Sequence, residues 1–215
     1  MKYTAVIFAF ILSGCAFTDV RVTLPESVST GYSGGKGRQV VIVSQFKDER
    51  SFKEKCGIQK NGYNMATAKA ICSMDPAVWM AQILATELKA AGFSIVEEGT
   101  AKASALRLNG SLLQIFVEPV IGFTTVTLET DVHVQVIARS ETGLLAERSF
   151  FVKGTSSGLA ATAGTFETSF NEATKEIVKE IVAAIISLIN RYPQIGLYRY
   201  GDQVGRIALL EENKL

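Results

Sequence analysis

Apolar and polar residues alternate most regularly between Thr125 and Ala138. Val126, Leu128, Thr130, Val132, Val134, Val136 and Ala138 fall on one side, and Thr125, Thr127, Glu129, Asp131, His133 and Gln135 on the other. A period of two with one wet face predicts a strand of an antiparallel sheet. Upstream, Ala105 to Val117 carries Leu106, Leu108 and Leu112, then Leu113, Ile115 and Val117. The phase slips by one residue near Leu112–Leu113, which predicts a β-bulge. Ser140-Glu141-Thr142-Gly143 reads as a hairpin turn, and Leu144 to Val152 as the strand that returns from it. Gln39 to Phe46 (QVVIVSQF) is β-branched and almost wholly apolar, the pattern of a central strand.

Two segments follow the helical period instead. Asp75-Pro76 opens the first, with Asp as N-cap and Pro at the first helical position. Val78, Trp79, Ile83, Leu84, Leu88 and Ala91 form its apolar stripe, Gly92 ends it, and Phe93 to Val96 follows as a short strand. The second runs from about Thr165 to Tyr192 along Phe166, Phe170, Ala173, Ile177, Ile181, Ala184, Ile185 and Leu188. Glu172, Lys175, Glu176, Lys179 and Glu180 cover its outer face, and Pro193 stops it. Its most apolar part, Ile181 to Ile189, is far shorter than the roughly 20 residues a spanning helix needs. Gly154 to Gly164 reads as a Gly/Ser/Ala loop, and Asp48 to Ser73 has no clear period. The order is strand, helix, short strand, three-strand meander, helix. It predicts an α+β two-layer sandwich, a mostly antiparallel sheet covered on one face by two helices.

The chain ends do not share these periods. Residues 1–14 hold Lys2 and an apolar run from Ala5 to Leu12, the length of a signal-peptide core. Residues 15–38 include Pro25 and the run SVSTGYSGGKGR, which reads as a flexible tether. A short strand near Val20–Leu24 remains open within it. Residues 39–192 form a single α+β domain. Residues 193–215 are a tail that mixes Leu197, Tyr198, Val204, Ile207 and Leu210 with charges. Folding back on the domain and docking a partner are both open to it.

Composition sharpens these limits. The 215 residues are 47% hydrophobic and 20% charged, with a net charge of +1. This excludes a largely disordered chain and gives no basic stripe for nucleic acid. The mean hydropathy of +0.22 directs attention to a membrane contact. Leu12-Ser13-Gly14-Cys15 supplies one, because it resembles the lipobox of bacterial lipoproteins. That resemblance implies cleavage before Cys15, a diacylglycerol thioether on its sulfur and an acyl chain on its new amino group. The alternatives are an ordinary secretory signal with a chance Cys, or an uncleaved anchor. Ala16 replaces the Asp that retains enteric lipoproteins in the inner membrane, so the resemblance implies the outer membrane. With Cys15 assigned to lipid, Cys56 and Cys72 remain. In an oxidising periplasm a bridge between them is expected, worth about 3 kcal/mol by loop-closure entropy. Two separate buried thiols are the alternative.

The body resembles the YajG-type lipoprotein family in the order of several short features. An apolar strand runs into Asp48-Glu49-Arg50, similar to that family's Asp-x-Arg. Cys56-Gly57-Ile58-Gln59-Lys60-Asn61-Gly62-Tyr63 is similar to its Ile-Gly followed by Asn-Gly. Leu88-Lys89-Ala90-Ala91-Gly92-Phe93 matches a helix that ends in Gly-Phe before a strand. The similarity spans roughly residues 40–192, and Cys56 and Cys72 are not features of that family. Related architectures in lipid transport and outer-membrane assembly are a fold-level analogy.

Candidate chemistry is sparse. His133 is the sole histidine, set on the polar face of its strand beside Asp131, and no Gly-x-Ser-x-Gly elbow is present. Gly31 to Gly37 lacks the phosphate-loop pattern and precedes its strand. No catalytic residue, metal or cofactor is expected beyond the acyl chains on Cys15. The expected contact loop holds Asp48, Arg50, Lys53, Lys55, Lys60, Asn61 and Tyr63. The reading is a non-enzymatic lipoprotein of the outer-membrane inner leaflet that binds or scaffolds an envelope protein. The alternative is an accessory that holds a lipid or small apolar ligand between helices and sheet.

Overall fold

A computed structural model describes residues 18–43 and 45–196. The expected signal peptide, Cys15 and the tail beyond Gly196 lie outside the described residues. The strands are β1 (Val20–Val22), β2 (Gln39–Ile42), β3 (Lys47–Asp48), β4 (Gly57–Lys60) and β5 (Ala66–Cys72). They continue with β6 (Ser94–Ile95), β7 (Leu106–Ile121), β8 (Val126–Ser140) and β9 (Gly143–Gly158), and the helices are α1 (Pro76–Ala90) and α2 (Ala163–Arg191).

The architecture is α+β. One sheet runs β1-β5-β4-β7-β2-β6, with β3 also on β7, β8 on β7, and β9 on β8. The long meander β7-β8-β9 is antiparallel, as is β4-β5. The short strands β2, β3 and β4 add to β7 in parallel. The register of β7 on β8 shifts between Leu112 and Gln114, the expected bulge. Below it Leu106, Leu108 and Leu112 are buried, and above it Ile115 and Val117. The extra residue keeps the apolar set inward where the pattern slips.

The inward face of the meander meets both helices in one core. Trp79, Ile83, Leu84 and Leu88 from α1 join Phe166, Phe170, Ile177 and Ile181 from α2. The Asp75 carboxylate accepts from the Ala77 and Val78 N–H groups. Gly92, at φ +90°, takes the left-handed step after the helix end, which glycine makes without a Cβ clash.

Three expectations change. The Gly154–Gly164 loop is strand as far as Gly158, and α2 starts at Ala163 behind the cap Thr162. Gly154 lies under α2, where a Cβ would sit 2.4 Å from the Ser169 carbonyl oxygen. Glycine there lets helix and strand backbones approach, so loop-like composition marks a packing contact. The aperiodic Asp48–Ser73 stretch contains the β4-β5 hairpin, whose register shifts between Gln59 and Lys60.

The third correction concerns residues 18–38. The expected flexible tether is a strap laid on the body. β1 pairs with β5 in parallel, and Val22 and Leu24 are buried. The Pro25 carbonyl accepts from Trp79 Nε1 at 2.7 Å. Gly34 and Gly35 donate to the Ala91 carbonyl, and Gly37 to that of Gly92. The strap therefore follows α1 from its start to its end.

Candidate functional site

The expected contact loop is largely spent on holding itself. Asp48 and Arg50 face each other as a fork, Nε to Oδ1 at 3.0 Å and Nη2 to Oδ2 at 2.9 Å. Arg50 also donates to the carbonyls of Lys53 (3.1 Å) and Lys55 (3.2 Å) and lies 3.9 Å from Cys56 Sγ. It is 5% exposed, so its chemistry is internal to the loop. Burial raises the Asp48 carboxyl, but the hydrogen bonds and charge of Arg50 outweigh it and hold the group below its ordinary range. The Asp-x-Arg feature is thus a staple of the 49–56 loop.

The other members divide. Lys55 Nζ sits 4.6 Å from the Phe52 ring centre and 5.9 Å from that of Phe116. Lys60 pairs with Glu118 at 3.0 Å. Asn61 Oδ1 accepts from the Tyr63 and Met65 N–H groups and shapes the β4-β5 turn. Lys53 lends its carbonyl to Arg50. Tyr63 stands out from the turn, exposed. Cys56 and Cys72 are bridged, with Cα atoms 5.6 Å apart. The bridge ties the end of that loop to the end of β5, and the Cys56 N–H donates to Ala70.

His133 lies on the open sheet face, as expected. Its Nε2 is 2.6 Å from Ser149 Oγ on β9, and its ring meets Phe151 edge-on at 5.9 Å. Ser149 is the partner that the sequence did not reveal, because register alone places it there. A hydroxyl and an imidazole at this distance have the reach of a nucleophile and base. Asp131, however, lies by Lys153 (3.6 Å), which also pairs with Glu129 at 2.6 Å. Glu129 and Asp131 raise the Lys153 ammonium above its ordinary value. The face is a ladder of cross-strand polar pairs, including Gln135–Glu147 and Thr127–Ser157.

A second missed residue is Glu87, buried on the apolar side of α1. Its Oε1 accepts from the Val28 and Ser29 N–H groups, and its Oε2 from Thr30, at 3.0 to 3.2 Å. Burial raises its pKa, but the three backbone donors outweigh this and leave it lowered. The available signal was its spacing, four residues after Ile83 and three after Leu84. A carboxylate on an apolar stripe needs a buried partner.

Between the last turns of α2 and the β8-β9 ribbon lies an open groove of about 60 Å³. Val136, Leu145, Phe150, Ala184 and Leu188 line it, with Arg148 and Arg191 among its walls. That is under half of the roughly 150 Å³ that accommodates benzene in an engineered cavity. Among the described residues no helix is long and apolar enough to cross a membrane.

A family model described as "Uncharacterized lipoprotein" matches residues 33–184. No curated protein matches the chain. Among solved structures, protein XCC0632 from Xanthomonas campestris, of family DUF330, aligns over 82% of this chain and 98% of its own. Its TM-score is 0.55 at 10% identity, which shows a shared fold. The hypothetical protein CT253 from Chlamydia trachomatis aligns over 71% of this chain and 97% of its own, with TM-score 0.43 and 9% identity. Lipoprotein GNA1162 from Neisseria meningitidis aligns over 72% and 99%, with TM-score 0.32 and 10% identity.

Proposed function

From the premise that the chain belongs to the family of uncharacterized lipoproteins, we propose that it is an envelope lipoprotein acting by attachment and contact, without catalysis. The acyl chains sit on Cys15, in the inner leaflet of the outer membrane, and the domain faces the periplasm. The observation that carries this reading is Leu12-Ser13-Gly14-Cys15, placed after a short apolar core and just ahead of β1. Two or three acyl chains anchor stably, where one is marginal. The Cys56–Cys72 bridge supports an oxidising compartment.

Scaffolding of an envelope protein is the preferred activity. The groove beside α2 is small for a lipid ligand, and the ladder of polar side chains on the outer sheet face offers a contact surface. The pair His133–Ser149 sits in that ladder, with Asp131 beside Lys153 and not committed to the imidazole.

The test is metabolic labelling with an alkyne palmitate, followed by membrane fractionation on a density gradient. Wild type is expected to label and to sediment with outer-membrane markers, and Cys15→Ala to lose both. A Cys15→Ala chain that still fractionates with membranes, beside an unlabelled wild type, overturns the anchor. Crosslinking in intact envelopes, then mass spectrometry of the purified lipoprotein, tests the activity. One stoichiometric protein is expected, and co-purified lipid without protein overturns scaffolding.

A further inference from the structure

The three most exposed large apolar side chains among the described residues are gathered at one end of the molecule, while Leu144 and Phe151, about half exposed, lie elsewhere on the β8-β9 ribbon. Among the described residues, Phe123, Leu159 and Tyr63 stand at 105, 88 and 86% of their free exposure. Phe123 lies in the β7-β8 turn, and Leu159 directly follows β9. Val126 pairs with Gly158, so these two share an end of the ribbon. Tyr63 lies in the β4-β5 turn. β4 runs parallel to β7, with Gly57 opposite Val117, and Lys60 reaches Glu118. That places the β4-β5 turn beside the β7-β8 turn. Met65 and Val120, both exposed, belong to the same end.

The N-terminal connection leads to this end too. β1 is parallel to β5, Val20 lies opposite Ala70, and the Asp19 carboxylate accepts the Lys69 N–H at 2.7 Å. β5 begins at Ala66, immediately after the turn that carries Tyr63 and Met65. From Val20 back to Thr18 the chain therefore runs toward that turn, while downstream the strap runs away along α1. Cys15 is three residues before Thr18, a reach of at most about 11 Å.

We propose that this end is a membrane-docking face, with Tyr63, Phe123 and Leu159 seated in the headgroup region of the leaflet that holds the Cys15 acyl chains. The occupant is a lipid surface because the anchor leaves no room for a long spacer. With Asp19 held on the Lys69 N–H of β5, acyl chains on Cys15 bring the bilayer to the turns. Exposed aromatic and aliphatic side chains on turn tips suit the interface, where ring bodies bury and the Tyr hydroxyl stays wet. The contact also fixes orientation: the β8-β9 turn at Glu141–Thr142 points away from the bilayer and presents the groove end to the periplasm. The inference rests on acylation of Cys15.

The experiment uses the mature acylated chain in vesicles of phosphatidylethanolamine and phosphatidylglycerol. A fluorophore is placed singly through Tyr63→Cys, Phe123→Cys, Leu159→Cys or Thr142→Cys, and brominated lipid acts as quencher. Quenching several-fold stronger at positions 63, 123 and 159 than at 142 is expected. Equal or absent quenching at all four, on chains that carry the acyl mass and float with the vesicles, overturns the docking face while leaving the anchor intact. Chains without acyl mass on Cys15 that fail to float overturn the anchoring reading instead. A triple variant, Tyr63→Ser with Phe123→Ser and Leu159→Ser, keeps the core. It is expected to float and to admit protease at these turns, which the wild type on vesicles resists. Equal cleavage of the two overturns the proposal.

Discussion

Glu87 occupies a place on α1 where its neighbours in the stripe are leucine and isoleucine. Burial alone would penalise its charge, and three backbone N–H groups of the strap more than repay it. Glu87→Gln is expected to lower stability by about 1–3 kcal/mol in urea denaturation, because one anionic acceptor oxygen becomes a donor. The pH dependence follows from the directions. The carboxyls of both Glu87 and Asp48 are held below their ordinary values of 4.5 and 3.8. Each contributes stability that is complete above the ordinary value and is lost as pH falls through the lowered one. Wild type is therefore expected to lose stability progressively below about pH 4.5, and Glu87→Gln to lose less over that range. Denaturation midpoints against pH check this, and an equal loss in both chains contradicts it. Glu87 was legible only as an anomaly, since its partners lie 57 to 59 residues upstream.

At the scale of elements, close backbone approach decides how α2 lies on β9. A Cβ at Gly154 meets the Ser169 carbonyl at 2.4 Å and the Ala173 nitrogen at 2.5 Å, both backbone atoms that cannot swing aside. Gly154→Ala is expected to cost about 1–3 kcal/mol. Gly164, inside α2 with nothing within 4 Å of its Cβ, is the control. Gly164→Ala is expected to be neutral or to stabilise by up to about 1 kcal/mol. Thermal melts of the two variants separate packing from propensity. The Cys56–Cys72 bridge acts on another element pair. Replacing both cysteines by serine is expected to cost about 3 kcal/mol in chemical denaturation, since the closed loop restricts the unfolded chain. The helices and the meander were legible because each has a period and a face. The β4-β5 hairpin was not, because Gly57, Gly62 and a register shift interrupt its alternation.

At the scale of the whole molecule, the N-terminal strap ties the start of the described chain to β5 and α1. A flexible tether would make no such contacts, whereas the strap pairs with β5 and is clamped by Glu87. Replacing residues 24–33 by a Gly/Ser stretch of equal length is expected to red-shift the emission of Trp79, the sole tryptophan, whose indole loses the Pro25 carbonyl. Stability should fall as well, and an unchanged spectrum and melting curve would restore the tether. The sequence by itself determined the class of fold, the ends of α1 and the bulge in β7. Each is local, resting on periodicity or on residues adjacent in the chain. Only the tertiary structure decided that 18–38 is a strap, that Asp48 and Arg50 serve the loop, that His133 meets Ser149, and that three exposed tips share one end. Those outcomes depend on which distant segments pair and in what register, and a single chain's pattern encodes its faces without naming the partners they meet.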